Sequence, residues 1–120
     1  MSKLIDVHFH LDFYKNHETI YEKINHLEQY TLCMTNSPGV YLSCKNLYAE
    51  TKYLKFAIGF HPLDTKLKDK DFTDFLSLAR NANYIGEVGL DFSGLPALPN
   101  GKQIEYFESI VKMCSQKNKM

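Results

Sequence analysis

Asp6-Val7-His8-Phe9-His10-Leu11 reads as a strand that carries half of a metal site. In a strand, side chains two apart project from the same face. His8 and His10 are therefore expected side by side with Asp6 behind them, and Ile5, Val7, Phe9 and Leu11 on the other face. An apolar face against helices, with imidazoles on the opposite face, suits a barrel strand whose working groups look inward. An HxH pair alone is a weak signal, because most are structural or incidental. Its weight comes from Ile85-Gly86-Glu87-Val88-Gly89-Leu90-Asp91, which places an acidic residue at the end of another expected strand.

Outward from these stretches the hydrophobic period alternates between strand and helix. Leu4 to His10 is the first expected strand, and His17 to Tyr30 a helix with Ile20, Ile24 and Leu27 on one side. Thr31 to Thr35 is the second strand. Ser37-Pro38 supplies a capping hydroxyl and a first-turn proline for a helix from Val40 to Tyr53. Leu54 to Gly59 is the third strand and ends at Gly59-Phe60-His61-Pro62. Asp71 is placed to cap a third helix that buries Phe72, Phe75, Leu76 and Ala79. Tyr84 to Val88 is the fourth strand, and Ser93 to Gly101, with Pro96 and Pro99, a loop. Asn100 and Gln103 resemble a capping box opening a last helix that buries Ile104, Phe107, Val111 and Cys114.

The order βαβαβαβα calls for parallel strands and right-handed crossovers. The expected fold class is α/β: a single domain over residues 1–120, forming a parallel (βα)4 half of a TIM-type (β/α)8 barrel. The 120 residues fall well short of the roughly 200 or more that eight units need.

Composition narrows the function classes. Apolar content is 44% and charged content 23%, which describes a globular chain and not a disordered one. Fourteen basic residues balance fourteen acidic ones, so no global positive field advertises nucleic acid, although a metal could still hold phosphates locally. Three cysteines without CxxC spacing argue against a disulfide framework and for a reduced cytoplasmic setting. No signal-peptide pattern opens the chain, and no 18-residue apolar run predicts a membrane span. P-loop, GxSxG and dinucleotide fingerprints are missing from the sequence. His17 and His26 fall on or near the first helix, on its solvated side, and Lys66 to Asp71 reads as a charged connection.

Working residues of α/β barrels gather at the C-terminal ends of the strands. His8 and His10 follow strand one, His61 strand three, and Glu87 and Asp91 strand four. Neutral imidazoles and carboxylates suit Zn²⁺, Mn²⁺ or related divalent ions, and a carboxylate can bridge two of them. His61 before Pro62 could equally bond a turn, and Asp91 could cap the loop after it.

These stretches resemble the TatD family of metal-dependent deoxyribonucleases, a branch of the amidohydrolase-like barrels. Gln103 to Phe107 and the helix they open also resemble the family segment after the fourth strand. The resemblance implies that His8 and His10 bind one divalent metal (Zn, Mg or Mn), that Glu87 is catalytic and bridges two metals, and that His61 and Asp91 line the substrate site. It implies DNA as substrate, cleaved by 3′–5′ exonuclease-type phosphodiester hydrolysis. The family's other ligands, two histidines on strands five and six and an aspartate on strand eight, have no counterpart here. The expected constellation is about half present, and activity is expected to need a homodimer or a second chain that completes the barrel. The competing expectation is a non-catalytic half-barrel that serves assembly; a third is a related hydrolase acting on an amide or ester.

Overall fold

Strand and helix alternate through the computed structural model, which describes residues 3–64, 66–93 and 98–120. The elements are β1 (Ile5–Phe9), α1 (His17–His26), β2 (Tyr30–Cys33), α2 (Pro38–Leu47), β3 (Leu54–Phe56), β4 (Ile58–Phe60), α3 (Asp69–Ala79), β5 (Ile85–Val88) and α4 (Asn100–Lys117). A 3-10 turn, Leu11–Phe13, follows β1. Every strand pair is parallel, in the orders β1-β2-β3 and β4-β5. β3 and β4 are two halves of the single strand expected over Leu54 to Gly59. The break falls at Ala57, whose N–H donates to the Cys33 carbonyl (2.8 Å). The first half pairs back to β2 and the second forward to β5.

The core lies between the strands and the helices. Cys33, Leu54, Phe56, Ile58 and Phe60 from the strands meet Tyr41, Cys44, Phe75, Ala79 and Ile110 from the helices. Phe60 is its aromatic hub, with the rings of Phe72, Phe75 and Tyr106 at 5.4, 5.8 and 5.7 Å. Ser37 starts α2 as expected: its side chain accepts the Val40 N–H and Pro38 fills the first turn. Asp71 caps α3 from inside the first turn, its carboxylate accepting the Lys68 N–H (2.7 Å). Among the described residues no helix is long and apolar enough to cross a membrane.

Two helices end earlier than their apolar spacing suggests. α1 stops at His26 because Glu28 adopts a left-handed φ of 56°. The Leu27 and Gln29 N–H groups then close on the carbonyls of Lys23 and Ile24, a reversal that satisfies the helix's last acceptors. Leu27, expected in the buried stripe, is exposed in consequence. α2 stops at Leu47, where Tyr48 turns extended.

α4 rotates away from its expected face. Gln103, Tyr106, Ile110 and Met113 are its buried residues, whereas Ile104 (43% exposed) and Val111 (50%) look outward. Gln103 fixes this phase and forms no capping box with Asn100. Its amide N–H donates to the Leu98 carbonyl (3.1 Å) and its oxygen accepts the Asp91 N–H (3.0 Å). A buried amide satisfied on both sides holds the helix one position away from the more apolar stripe. The Ser93–Gly101 loop falls partly on residues 94–97, outside the described residues.

The cysteines are free, and burial pushes the Cys33 thiol to about 12 and that of Cys44 to about 11. Thiolate is the nucleophile, so alkylation of the native chain at pH 8 should modify Cys114 alone, the least buried of the three. Intact-mass measurement checks this: one adduct is expected on the folded chain and three in denaturant. A second adduct before unfolding would contradict the burial of Cys33 and Cys44.

Candidate metal centre

The register slips by one residue along both strands that carry the expected metal ligands, β1 and β5. Asp6 lies abreast of Thr31 and Phe9 abreast of Cys33, so β1 spends three residues where β2 spends two. Ile58 lies abreast of Ile85 and Phe60 abreast of Val88, so β5 likewise carries one more residue than β4. An extra residue bends a strand and re-aims its side chains. Simple alternation through Asp6-Val7-His8-Phe9-His10 therefore does not hold. Asp6 shares the orientation of Thr31, while Phe9 packs with Cys33 on the helix side, leaving His8 and His10 on the inner face. Asp6 still supports the turn, its carboxylate accepting the His8 N–H (3.0 Å). Ile5 and Val7, expected against helices, are 71% and 62% exposed.

Glu87 sits where the two slips converge. His10 Nε2 lies 2.9 Å and His8 Nε2 3.3 Å from Glu87 Oε2. His61 Nε2 lies 3.4 Å from the other oxygen, Oε1. β1, the end of β4 and β5 thus deliver their chemistry to one point. His10 is held by a parallel stack on Phe13, with centroids 4.3 Å apart and planes inclined by 5°.

Backbone contacts lock Glu87 in place. Its N–H donates to the Thr35 carbonyl (2.7 Å), and the Thr35 N–H donates to the Gly86 carbonyl (3.2 Å). The buried Thr35 hydroxyl donates to the Ala57 carbonyl (2.8 Å) and accepts the Gly59 N–H (3.1 Å). Thr35 reaches β5 only because Gly59 carries no side chain: a Cβ there would fall 1.6 Å from the Thr35 oxygen and 2.5 Å from the Glu87 nitrogen.

The donor set fits a divalent cation. One nitrogen from each of His8 and His10 and one oxygen of Glu87 lie within 4.8 Å of one another. Two imidazoles and a carboxylate suit Zn²⁺ and Mn²⁺. His61 differs from that pair. Its Nδ1 accepts the Leu63 N–H (3.1 Å), which in the neutral ring leaves the hydrogen on Nε2. It faces Glu87 Oε1 as a donor. Asp91 stays outside the cluster: its carboxylate accepts from the backbone and hydroxyl of Ser93, and those bonds hold it below the usual carboxylate range. His17 turns away to the Tyr48 hydroxyl.

Beside the cluster opens a cavity of about 490 Å³, lined in part by Asp12, Phe13, Asn36, His61 and Lys66. Burial pushes the Asp12 carboxyl above its usual range. Asp12, Phe13 and Asn36 were not singled out from sequence. Asn36 follows the second strand, so the strand-end rule would have found it. Phe13 depends on the 3-10 turn, which no hydrophobic period announces.

The family model for TatD related DNase matches residues 5–120. The chain belongs to that family. TatD proteins are generally metal-dependent, in keeping with the donor set here. Among solved structures, the chain is similar to YjjV, a TatD homologue from Escherichia coli K12, with a TM-score of 0.76 and 19% identity. The match covers 97% of this chain and 48% of that one, so this chain spans about half the length of its solved relative. The likeness shows the fold: parallel strands alternating with helices in the manner of the TatD TIM barrel. No curated protein matches the chain.

Proposed function

We propose that residues 1–120 form one half-barrel domain that contributes the metal-holding half of a TatD-type site hydrolysing phosphodiesters of DNA, in a 3′–5′ exonuclease mode. The convergence of His8, His10 and Glu87, brought from strands far apart in the chain to within 4.8 Å, carries this reading. A divalent ion held there would acidify water and offset the charge that develops on phosphate oxygens. In a complete site Glu87 would serve two ions. His61 Nε2–H donates to a phosphate oxygen, and Asp91 shapes the rim through its bonds to Ser93. Buried, unpaired thiols favour a cytoplasmic setting.

Completion of the barrel belongs to the same proposal. Met120 already sits beside β5 as a parallel partner: its N–H donates to the Asn83 carbonyl (3.4 Å) and its carbonyl accepts the Ile85 N–H (2.7 Å). The β5 edge is therefore shaped for a further parallel strand, and Ile5, Val7, Ile104 and Val111 are apolar surface that such an addition would cover. The occupant is a second copy or a chain carrying the complementary strands. The test titrates the purified chain with Mn²⁺ and assays 3′-labelled single-stranded DNA, alone and with the complementary half supplied. About one ion per chain, little turnover alone and turnover on mixing are expected. A chain that takes up no ion would overturn the reading, and assembly without turnover would favour a non-catalytic assembly module.

A further inference from the structure

The cavity beside Glu87 has the wrong charge for a phosphate and the right walls for a nucleobase. Its lining includes the carboxylates of Asp12, Asp64 and Asp71 against one lysine, Lys66. An oligonucleotide's phosphates, repelled there, would be met at the metal cluster and at His61, which forms the shared wall between cluster and cavity. Its volume, about 490 Å³, lies within the usual range of pockets that enclose small organic groups.

Phe13 is the decisive wall. One face of its ring is stacked flat on His10, yet the side chain is 63% exposed, so the other face is open. The ring is not a loose surface residue. Its N–H closes the 3-10 turn on the His10 carbonyl (3.2 Å), and the turn is pinned by Leu11, buried to 1% exposure. A rigid aromatic plane beside a phosphate-handling centre is the element that single-strand-binding proteins use to hold successive bases. Apart from its stack on His10, Phe13 takes no part in the hydrophobic core cluster among the described residues.

We propose that Phe13 stacks on the base of the nucleotide next to the phosphate held at the cluster, and that the cavity between Phe13 and His61 receives that base. The inference rests on the nucleic-acid reading above and deepens it: the site takes a strand whose bases are free to leave the stack, and binding depends on the base as well as the phosphate. Asp12 and Asn36 on the cavity wall supply polar groups to the edge of the base.

The experiment compares two single-stranded oligonucleotides of equal length with phosphorothioate linkages, one with bases and one abasic, binding to Mn²⁺-loaded chain by fluorescence anisotropy. Wild type should prefer the base-bearing strand by about 5- to 150-fold, the range of one base stacked on an aromatic ring. At equal Mn²⁺ occupancy, Phe13→Ala and Phe13→Leu should erase that preference, read as the ratio of base-bearing to abasic affinity within each variant, so that any loosening of His10, which stacks on Phe13, cancels from the comparison. Phe13→Trp should keep the preference, and its fluorescence should be quenched by the base-bearing strand alone. Two strands bound equally well by wild type, or a preference that survives Phe13→Ala, would overturn the base site and leave the nuclease reading standing. Failure of the metal-loaded chain to bind either strand would overturn both.

Discussion

Glu87→Ala should abolish divalent-metal binding by this chain and, in any completed barrel, hydrolysis with it. The carboxylate faces both imidazoles of the cluster, at 2.9 and 3.3 Å, and without it the described donor set keeps only those two imidazoles. Even outer partners of metal ligands are worth about 10- to 100-fold in affinity, so loss of a ligand should weaken Mn²⁺ binding by at least about 100-fold. Stability should change far less, because the Glu87 side chain is 29% exposed and its backbone, which carries the bonds to Thr35, is untouched. Glu87→Gln separates charge from shape: it keeps a hydrogen-bonding oxygen for the histidines but offers a cation a neutral amide, and should fail almost as completely. Manganese titration followed by electron paramagnetic resonance reads both variants. Wild-type affinity in Glu87→Ala would remove Glu87 from the metal site altogether.

The order of strands and helices was legible because each segment buries one face, and a buried face leaves a period of two or of 3.6 in the residues. The convergence of the candidate residues was legible for a different reason: barrel chemistry gathers at strand ends, and His8, His10, His61 and Glu87 lie at or near such ends. What escaped was everything set by one-residue shifts. The slips in β1 and β5 turn His8, His10 and Glu87 towards each other, but an inserted residue looks like any other residue in the sequence. α4 carries two overlapping stripes. The more apolar one, Ile104-Phe107-Val111-Cys114, lost to the one anchored by Gln103, whose partners Asp91 and Leu98 lie outside the helix. Leu27 sits at helical spacing, yet the left-handed Glu28 ends α1 before it can be buried.

Gly59→Ala should be the most damaging glycine-to-alanine change among the described residues. The added carbon would lie 1.6 Å from the Thr35 carbonyl oxygen, 2.5 Å from the Glu87 nitrogen and 2.7 Å from the Thr35 carbonyl carbon, all backbone atoms that no rotamer change can clear. Relief requires β2, β4 and β5 to move apart, which breaks the Glu87–Thr35 hydrogen bond (2.7 Å) and leaves buried groups unpaired. Overpacking of side chains alone costs about 1–3 kcal/mol, and this clash with fixed backbone should exceed it. At about 4 °C per kcal/mol for a chain of this size, the melting temperature should fall by roughly 12 °C or more, up to failure to fold. Gly101→Ala is the matched control, because its new methyl meets nothing within 4 Å and sits in the first turn of α4. It should be neutral or stabilising by up to about 1 kcal/mol. Thermal melts followed by circular dichroism compare the pair, and equal melting temperatures would show that Thr35 does not bridge to β5 over Gly59. Because the same hydrogen bond that the methyl breaks also places the Glu87 backbone, any Gly59→Ala protein that still folds should bind Mn²⁺ more weakly than Gly101→Ala. Stability and metal affinity are joined at this one glycine.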